Sequence, residues 1–287
     1  MTEQLSPLAL QALAVVEESG AIINANHAHP HTIRHKGRID LVTETDIAVE
    51  AFLKERLATL APQAGFLAEE SAEDLSLPDT CWIIDPVDGT ANFAHQRMLW
   101  GISIAFAEGG VIRDGGVYMP ELGEMMITSG GRAFYSHVPG VPDADFLRSN
   151  MREMVPPEIH FDDAAVINLS QAMVKRGLFR GPNPVIAIGT CAYSCVELAL
   201  GKDAAYVTGC KIWDIAGSLP ALRILGFHGR TPAGDDLLSG EICDRLYDLD
   251  FDSPRLFSIR GQTFLALNDE IINAVSAHCE FPAKAPS

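Results

Sequence analysis

The chain of 287 residues is short of basic side chains: 21 Lys and Arg stand against 38 Asp and Glu, and 21 − 38 gives a net charge of −17. Such an acid excess offers no general field for a phosphate backbone, which argues against nucleic-acid polymers as partners. The same field repels small phosphate compounds, so a phosphate site here needs local cations to reverse its sign. No apolar run approaches the roughly 18 uninterrupted residues of a membrane-spanning helix, so no membrane partner is expected. Met1-Thr2-Glu3-Gln4 has neither a basic stretch nor a following apolar run. No secretory leader is therefore expected, and the cytoplasm is the expected location. The six cysteines, Cys81, Cys191, Cys195, Cys210, Cys243 and Cys279, form no C-x-x-C pair and read as reduced, mostly buried thiols. Internal repeats and low-complexity tracts are absent.

What is present is an ordinary globular composition, 47% hydrophobic and 21% charged, sufficient for a large core. The spacing predicts a helix from Ser6-Pro7 to about Ala25, with Leu13, Val16, Gly20 and Ile23 on one face. His27, His29, His31 and His35 then crowd a short stretch. Four histidines suit a transition metal, but no carboxylate or cysteine completes a set, and a polar surface loop is the expected reading. Thr45-Asp46 is expected to cap a helix over 47–60, ended by Pro62. Strands over 66–68, 81–84, 101–107, 111–119 and 125–128, punctuated by Gly109-Gly110 and Gly130-Gly131, read as an antiparallel meander. Residues 138–160 read as a connector between a metal-binding lobe, 1–137, and an α/β substrate-side lobe, 161–287. In the second lobe, strands are expected over 166–169, 185–188, 204–208 and 264–267. Helices are expected over 192–200, 213–225 and 269–277, the second kinked by Pro220.

The chemistry concentrates in Trp82-Ile83-Ile84-Asp85-Pro86-Val87-Asp88-Gly89-Thr90, where an apolar strand runs into two aspartates three residues apart. Carboxylates on both sides of a turn offer the hard oxygen ligands that magnesium prefers. Gly89 and Thr90 can open a helix whose N–H groups face an anion. An Asp-Pro turn with Asp88 capping a helix is the plainer alternative. Glu69-Glu70, Asp46 and Asp214 share one trait with this stretch: each joins a mainly apolar segment to a turn or helix start, where acids converge on a common cleft.

Asp85-Pro86-Val87-Asp88-Gly89-Thr90-Ala91-Asn92-Phe93 resembles the signature of the inositol monophosphatase family, the lithium-sensitive, magnesium-dependent phosphatases. Leu41-Val42-Thr43-Glu44-Thr45-Asp46 resembles its V-T-x-T-D element, and Glu69-Glu70-Ser71 its G-E-E-S element, with Ala68 in place of glycine. Gly189-Thr190 and Trp213-Asp214-Ile215-Ala216-Gly217 resemble further elements, all in family order. The resemblance implies an α/β fold with αβαβα layers, its two lobes packed as one unit, and a homodimer. It implies a phosphomonoesterase that uses two or three Mg²⁺ ions on a small phosphate ester. Glu69, Asp85 and the Val87 carbonyl resemble the first ion's ligands, and Asp85, Asp88 and Asp214 the second's. A third ion would rest on Glu69. Gly89 and Thr90 would hold the phosphate through their amides, while Thr90 and Asp46 would orient and deprotonate the attacking water, with Glu69 in the same catalytic group. Lys36 falls near a family lysine. Asp88, Gly189, Thr190 and Cys191 would line the leaving-group side.

Family members that hydrolyse inositol phosphates carry a glutamate seven residues before the W-D aspartate. Here that position is Val207, which cannot accept a hydroxyl hydrogen bond. Lys211, just before Trp213, is expected at the substrate's distal end, favouring a second negative charge there. Inositol phosphate-like esters, sugar bisphosphates and 3′-phosphonucleotides are therefore the candidate substrates. The rival function is a non-catalytic metal-bound scaffold or phosphometabolite sensor, against which the Thr90 and Asp46 pair argues.

Overall fold

The computed structural model describes residues 14–16, 18–20, 34–35, 41–42, 44–74, 77–138 and 149–281. His27, His29, His31, Lys36 and Thr43 lie outside these residues. So does most of the expected first helix, of which 14–16 and 18–20 are helical.

Two short strands, β1 (Arg34–His35) and β2 (Leu41–Val42), pair antiparallel ahead of helix α1 (Glu44–Leu60). A seven-stranded sheet follows in the order β3 (Gly65–Ala68), β4 (Cys81–Asp88), β5 (Gly101–Glu108), β6 (Val111–Met119), β7 (Glu124–Ser129), β8 (Arg132–His137) and β9 (Arg152–Glu153). Only its β3–β4 pair is parallel. Helix α2 (Thr90–Ala94) follows β4 directly.

The later chain supplies β10 (Ile167–Leu169), helix α3 (Gln171–Arg176), β11 (Leu178–Phe179), β12 (Val185–Ile186), helix α4 (Cys191–Ala199) and β13 (Ala205–Thr208). Helices α5 (Ile212–Ala216) and α6 (Leu219–Ile224) come next. They are followed by β14 (His228–Arg230), β15 (Thr263–Ala266), helix α7 (Asp269–Ser276) and β16 (Cys279–Glu280). The second sheet has the order β12-β10-β13-β15-β14.

Strand alternation builds the layers. In β4, Trp82 and Ile84 face outward to Val49, Leu53 and Leu57 of α1, while Cys81 and Ile83 face the centre. The central layer holds Val196 and Leu198 of α4, Trp213 and Ile215 of α5 and Leu222 of α6, enclosed by both sheets. In β13, Tyr206 faces this centre, while Ala205 and Val207 face Met173 of α3 and Ile271 and Val275 of α7. The result is αβαβα, as the family resemblance implies. Each fully buried aliphatic contributes about 1.5–3 kcal/mol, so three such interfaces account for a rigid frame around the centre.

Several local expectations change. The single helix over 213–225 is two helices, and Pro220 kinks nothing, because it occupies the first turn of α6, where its missing N–H is not needed. The break falls after Gly217. A Cβ there would lie 2.6 Å from the Gly116 carbonyl oxygen and 2.6 Å from Ser103 Oγ, so the backbone crosses the first sheet at a distance no other residue tolerates. α1 begins at Glu44, which places Asp46 inside its first turn instead of at the cap. Part of the 138–160 segment is not a bare connector, since β9 extends the first sheet beside β8. A two-residue strand is too short to show a period.

Candidate active site

β4 carries the centre of the site. Its pairing with β5 shifts between Asp85 and Asp88: Asp85 lies opposite Ser103, and Asp88 opposite Gly101. Three steps on β4 therefore match two on β5. This bulge returns Asp88 to the face that Asp85 occupies, although side chains three apart on a regular strand would point to opposite faces. The strand continues through Pro86, where the sequence alone suggests a turn.

Glu69 at the end of β3, Asp85 in β4 and Asp214 in α5 bring one carboxylate oxygen each to within 4.8 Å of one another. Asp85 is fully buried, and this burial, followed by the charges of Glu69, Asp88, Asp214 and Asp46, pushes its carboxyl well above the usual range. Asp214 is raised in the same direction by burial and by Asp88, even though the Lys211 amide donates to its Oδ2 at 2.9 Å. Ser103 Oγ donates to the Trp213 carbonyl and accepts from the Gly217 amide, which seats α5 on β5 beside the carboxylates.

Asp88 stands apart from that trio. Its oxygens accept from the Cys191 amide at 3.2 Å, from the Ala192 amide at 2.6 Å and from Thr190 Oγ1. It thus caps α4, more than a hundred residues away in sequence, and not the helix next to it. Burial, with the Cys191 thiol beside it, pushes Asp88 up to about 7.

Asp46, buried in the first turn of α1, meets Thr90: Thr90 Oγ1 donates toward Asp46 Oδ1 at 3.3 Å and toward the Val87 carbonyl at 3.1 Å. Gly89 precedes α2 with φ 92°, and a Cβ on it would meet the Leu99 carbonyl oxygen at 3.1 Å. Only glycine turns the chain there without strain. Asn92 Nδ2 bridges the Leu99 and Ile188 carbonyls and ties α2 to the Gly189 turn.

A cavity of about 460 Å³ opens beside these groups. Its walls include Asp88, Gly189, Thr190, Cys191, Cys210 and Asp214, and it runs along α3 to Lys175 and Arg176.

Residues 4–245 match the family model described as the inositol monophosphatase family. The chain belongs to the inositol monophosphatase family. It is accordingly a phosphoric monoester hydrolase that acts on phosphorylated metabolites. It is 32% identical over 215 residues to an inositol monophosphatase of Dictyostelium discoideum, covering 72% of this chain and 78% of the relative. It is 25% identical over 219 residues to inositol monophosphatase 1 of Homo sapiens, covering 72% and 77%. In fold it is similar to the extragenic suppressor protein suhB of Bartonella henselae, with TM-score 0.71, 20% identity and coverage of 95% and 98%. No helix among the described residues is long and apolar enough to cross a membrane.

Within this inositol monophosphatase fold, Glu69, Asp85 and Asp214 converge, Asp46 meets Thr90, and Asp88 meets Thr190 and Cys191. Two expected substrate residues lie elsewhere. Val207 is fully buried toward α3 and α7, because on β13 it is the neighbouring Tyr206 and Thr208 that line the cavity. Lys211 is not among the lining residues, and its Nζ rests 4.9 Å from the centre of the Trp213 ring. The cavity's cations are Lys175 and Arg176, in a stretch to which the sequence reading assigned no element. Glu50 was also missed. Its carboxylate accepts from the Glu70 amide at 2.7 Å and from Ser71 Oγ at 2.5 Å, anchoring the segment that presents Glu69. Its place one turn after Asp46, on the same face of α1, was the available signal.

Proposed function

We propose that this chain is a magnesium-dependent phosphomonoesterase whose substrate is a small ester carrying a second anionic group. The convergence of Glu69, Asp85 and Asp214 beside the Asp46–Thr90 pair carries the reading. Three clustered carboxylates, one of them fully buried and hard to ionise alone, form an all-oxygen donor set that suits a hard divalent cation. Glu69, Asp85, Asp214 and the Val87 carbonyl would hold the metal, with Asp88 as a further ligand for a second ion. When bound, magnesium supplies positive charge that draws the phosphate dianion into an acidic site and acidifies water there.

The chain's own groups then have separate tasks. The amides of Gly89 and Thr90, at the start of α2 and without intrahelical acceptors, donate to the phosphate oxygens. Thr90 Oγ1 accepts from the attacking water, and Asp46 receives the proton through Thr90. A non-catalytic sensor has no use for that pair, which favours catalysis.

The leaving group extends along α3. The Cβ position of Gly189 is 3.4 Å from Gln171 Nε2, so Gln171 marks the catalytic end. Lys175 lies one turn further, about 6 Å along the helix axis. Neither Lys175 nor Arg176 has an acidic partner among the described residues. With Val207 turned away, the wall between them offers hydroxyls and thiols and no further carboxylate. That lining favours a distal phosphate or carboxylate over a neutral polyol ring.

Phosphate release should be measured with Mg²⁺ and with a chelator, for glucose 1,6-bisphosphate, glucose 1-phosphate, 3-phosphoglycerate and inositol 1-phosphate. The expected result is metal-dependent turnover, with kcat/KM for a doubly anionic ester roughly tenfold or more above its singly anionic counterpart. Lys175→Ala with Arg176→Ala should remove that preference and spare the simple esters. Absence of metal-dependent release from every ester would refute the phosphatase mechanism. Equal losses on all esters in the double variant would refute the cationic subsite alone.

A further inference from the structure

Two cysteines meet in the wall of the cavity. Cys191 opens α4 directly after Thr190, and Cys210 lies between β13 and α5, four residues before Asp214. Their Sγ atoms are 3.5 Å apart, and both residues line the cavity. All six cysteines are free thiols, but the others are placed differently. Cys195 lies one turn deeper in α4 with no exposure, and Cys81 is buried in β4. Cys243 and Cys279 do not line the cavity.

A disulfide needs sulfurs about 2.05 Å apart, so the observed contact is only about 1.5 Å short of a bond. The two thiols belong to separate elements, which can approach by a small shift of the turn between β13 and α5. Both also line the cavity of about 460 Å³, which is wide enough to take a molecule the size of a peroxide. We propose that Cys191 and Cys210 form an oxidation site, at which a peroxide creates a reversible disulfide across the substrate cavity.

The chemistry balances with hydrogen peroxide as the two-electron oxidant. One sulfur attacks a peroxide oxygen, the O–O bond breaks, and a sulfenic acid and one water result. The second sulfur attacks that sulfenic sulfur, the S–S bond forms and the S–O bond breaks, and the departing hydroxide takes the second thiol's proton as water. Two thiols are oxidised, one peroxide is reduced, and two waters leave. The new bond pulls the start of α4 toward the segment preceding α5. The first of these holds Asp88 through Thr190, Cys191 and Ala192, and the second positions Asp214. Oxidation therefore distorts two carboxylate positions at once and narrows the cavity between them. This goes beyond the phosphatase reading, and its covalent product can be detected whether or not that reading holds.

The reduced full-length protein should be treated with hydrogen peroxide, alkylated, and digested without reductant. The expected product is one cross-linked peptide pair joining Cys191 to Cys210, with the intact mass lowered by two hydrogens. Ester turnover should fall about tenfold or more, and dithiothreitol should restore it. Cys210→Ser, and independently Cys191→Ala, should lose the peroxide sensitivity when each is normalised to its own untreated turnover, while Cys243→Ser should keep it. A Cys191–Cys195 link, sulfinic acid without a cross-link, or a Cys191–Cys210 link with turnover unchanged would each overturn the proposal. If no ester is turned over at all, the phosphatase reading has failed separately. The cross-link, together with loss of the magnesium-induced thermal shift, then decides the thiol pair.

Discussion

Stripping divalent metal from this protein should make its stability fall as pH rises from 5 to 8. Asp88 is pushed from 3.8 to about 7 by burial, and Asp85 and Asp214 move in the same direction. A carboxyl whose folded pKa lies above its unfolded one binds more protons in the folded state. Its contribution is therefore fully present below the unfolded value and is lost as pH climbs through the folded value. For Asp88 the full window runs from 3.8 to about 7, and the part of it above pH 5 is about two units, so at 1.36 kcal/mol per unit the loss across the scanned range is on the order of 3 kcal/mol. In a chain of this size that corresponds to a fall in Tm of roughly 5 °C. Bound magnesium compensates the buried negative charge, so the metal-loaded protein should show little slope, and magnesium binding near pH 6.5 should release protons. Thermal scans at pH 5, 6, 7 and 8, in chelator and in magnesium, measure the effect directly, and calorimetry in buffers of different ionisation enthalpy counts the protons. Ordinary surface carboxylates are already ionised above pH 5 and do not contribute. Asp88→Asn should remove the share of the slope worked out here, and Asp85→Asn only the share of Asp85 itself. A metal-free Tm that is constant or rises across this range would refute the reasoning.

Asp85→Asn should also abolish the magnesium-induced rise in Tm and lower turnover by about 10³ or more, since several kcal/mol of metal-supplied stabilisation goes with it. Phosphate release and thermal shift on the same sample check both. Thr90→Ala should reduce kcat by about 10²-fold with KM nearly unchanged, because the Thr90–Asp46 relay moves a proton and binds little, and Thr90→Ser should recover most of the loss in steady-state assays. Val207→Glu should not restore a hydroxyl-binding acceptor. It would put a carboxylate among Ile167, Met173 and Phe264, cost several kcal/mol, and show as a large drop in Tm or in soluble yield. A stable Val207→Glu protein with improved turnover of inositol 1-phosphate would contradict the placement of that side chain.

Much of the frame was legible because it rests on local rules. Alternation in β4 and β5 separates the faces that meet α1 and the central helices. In the second half β10, β12, α4, β13, β15 and α7 were read to within one or two residues, whereas α3, β11, β14 and β16 were not anticipated. The spaced acids of the motifs were legible too, since each sits where an apolar strand or helix begins or ends. The seating of Pro220 was misread because a proline inside an apolar run is ambiguous until Gly217 is seen pressed against the first sheet.

The sequence by itself determined the layer-forming periods, the cap residues and which acids are available to a metal. The tertiary structure alone decided how those residues meet. The bulge that turns Asp85 and Asp88 to one face depends on the register of β4 against β5. Asp88 finds its partners more than a hundred residues away on α4, and Cys191 touches Cys210 only because α4 and β13 pack together. Val207 points away from the cavity because the second sheet presents the alternate residues of β13 to the centre, and Lys175 reaches the cavity because α3 runs along its wall. Spacing along a chain fixes which side of its own element a residue takes. Which element lies on that side is set by burying every apolar face at once, and that condition belongs to the whole fold.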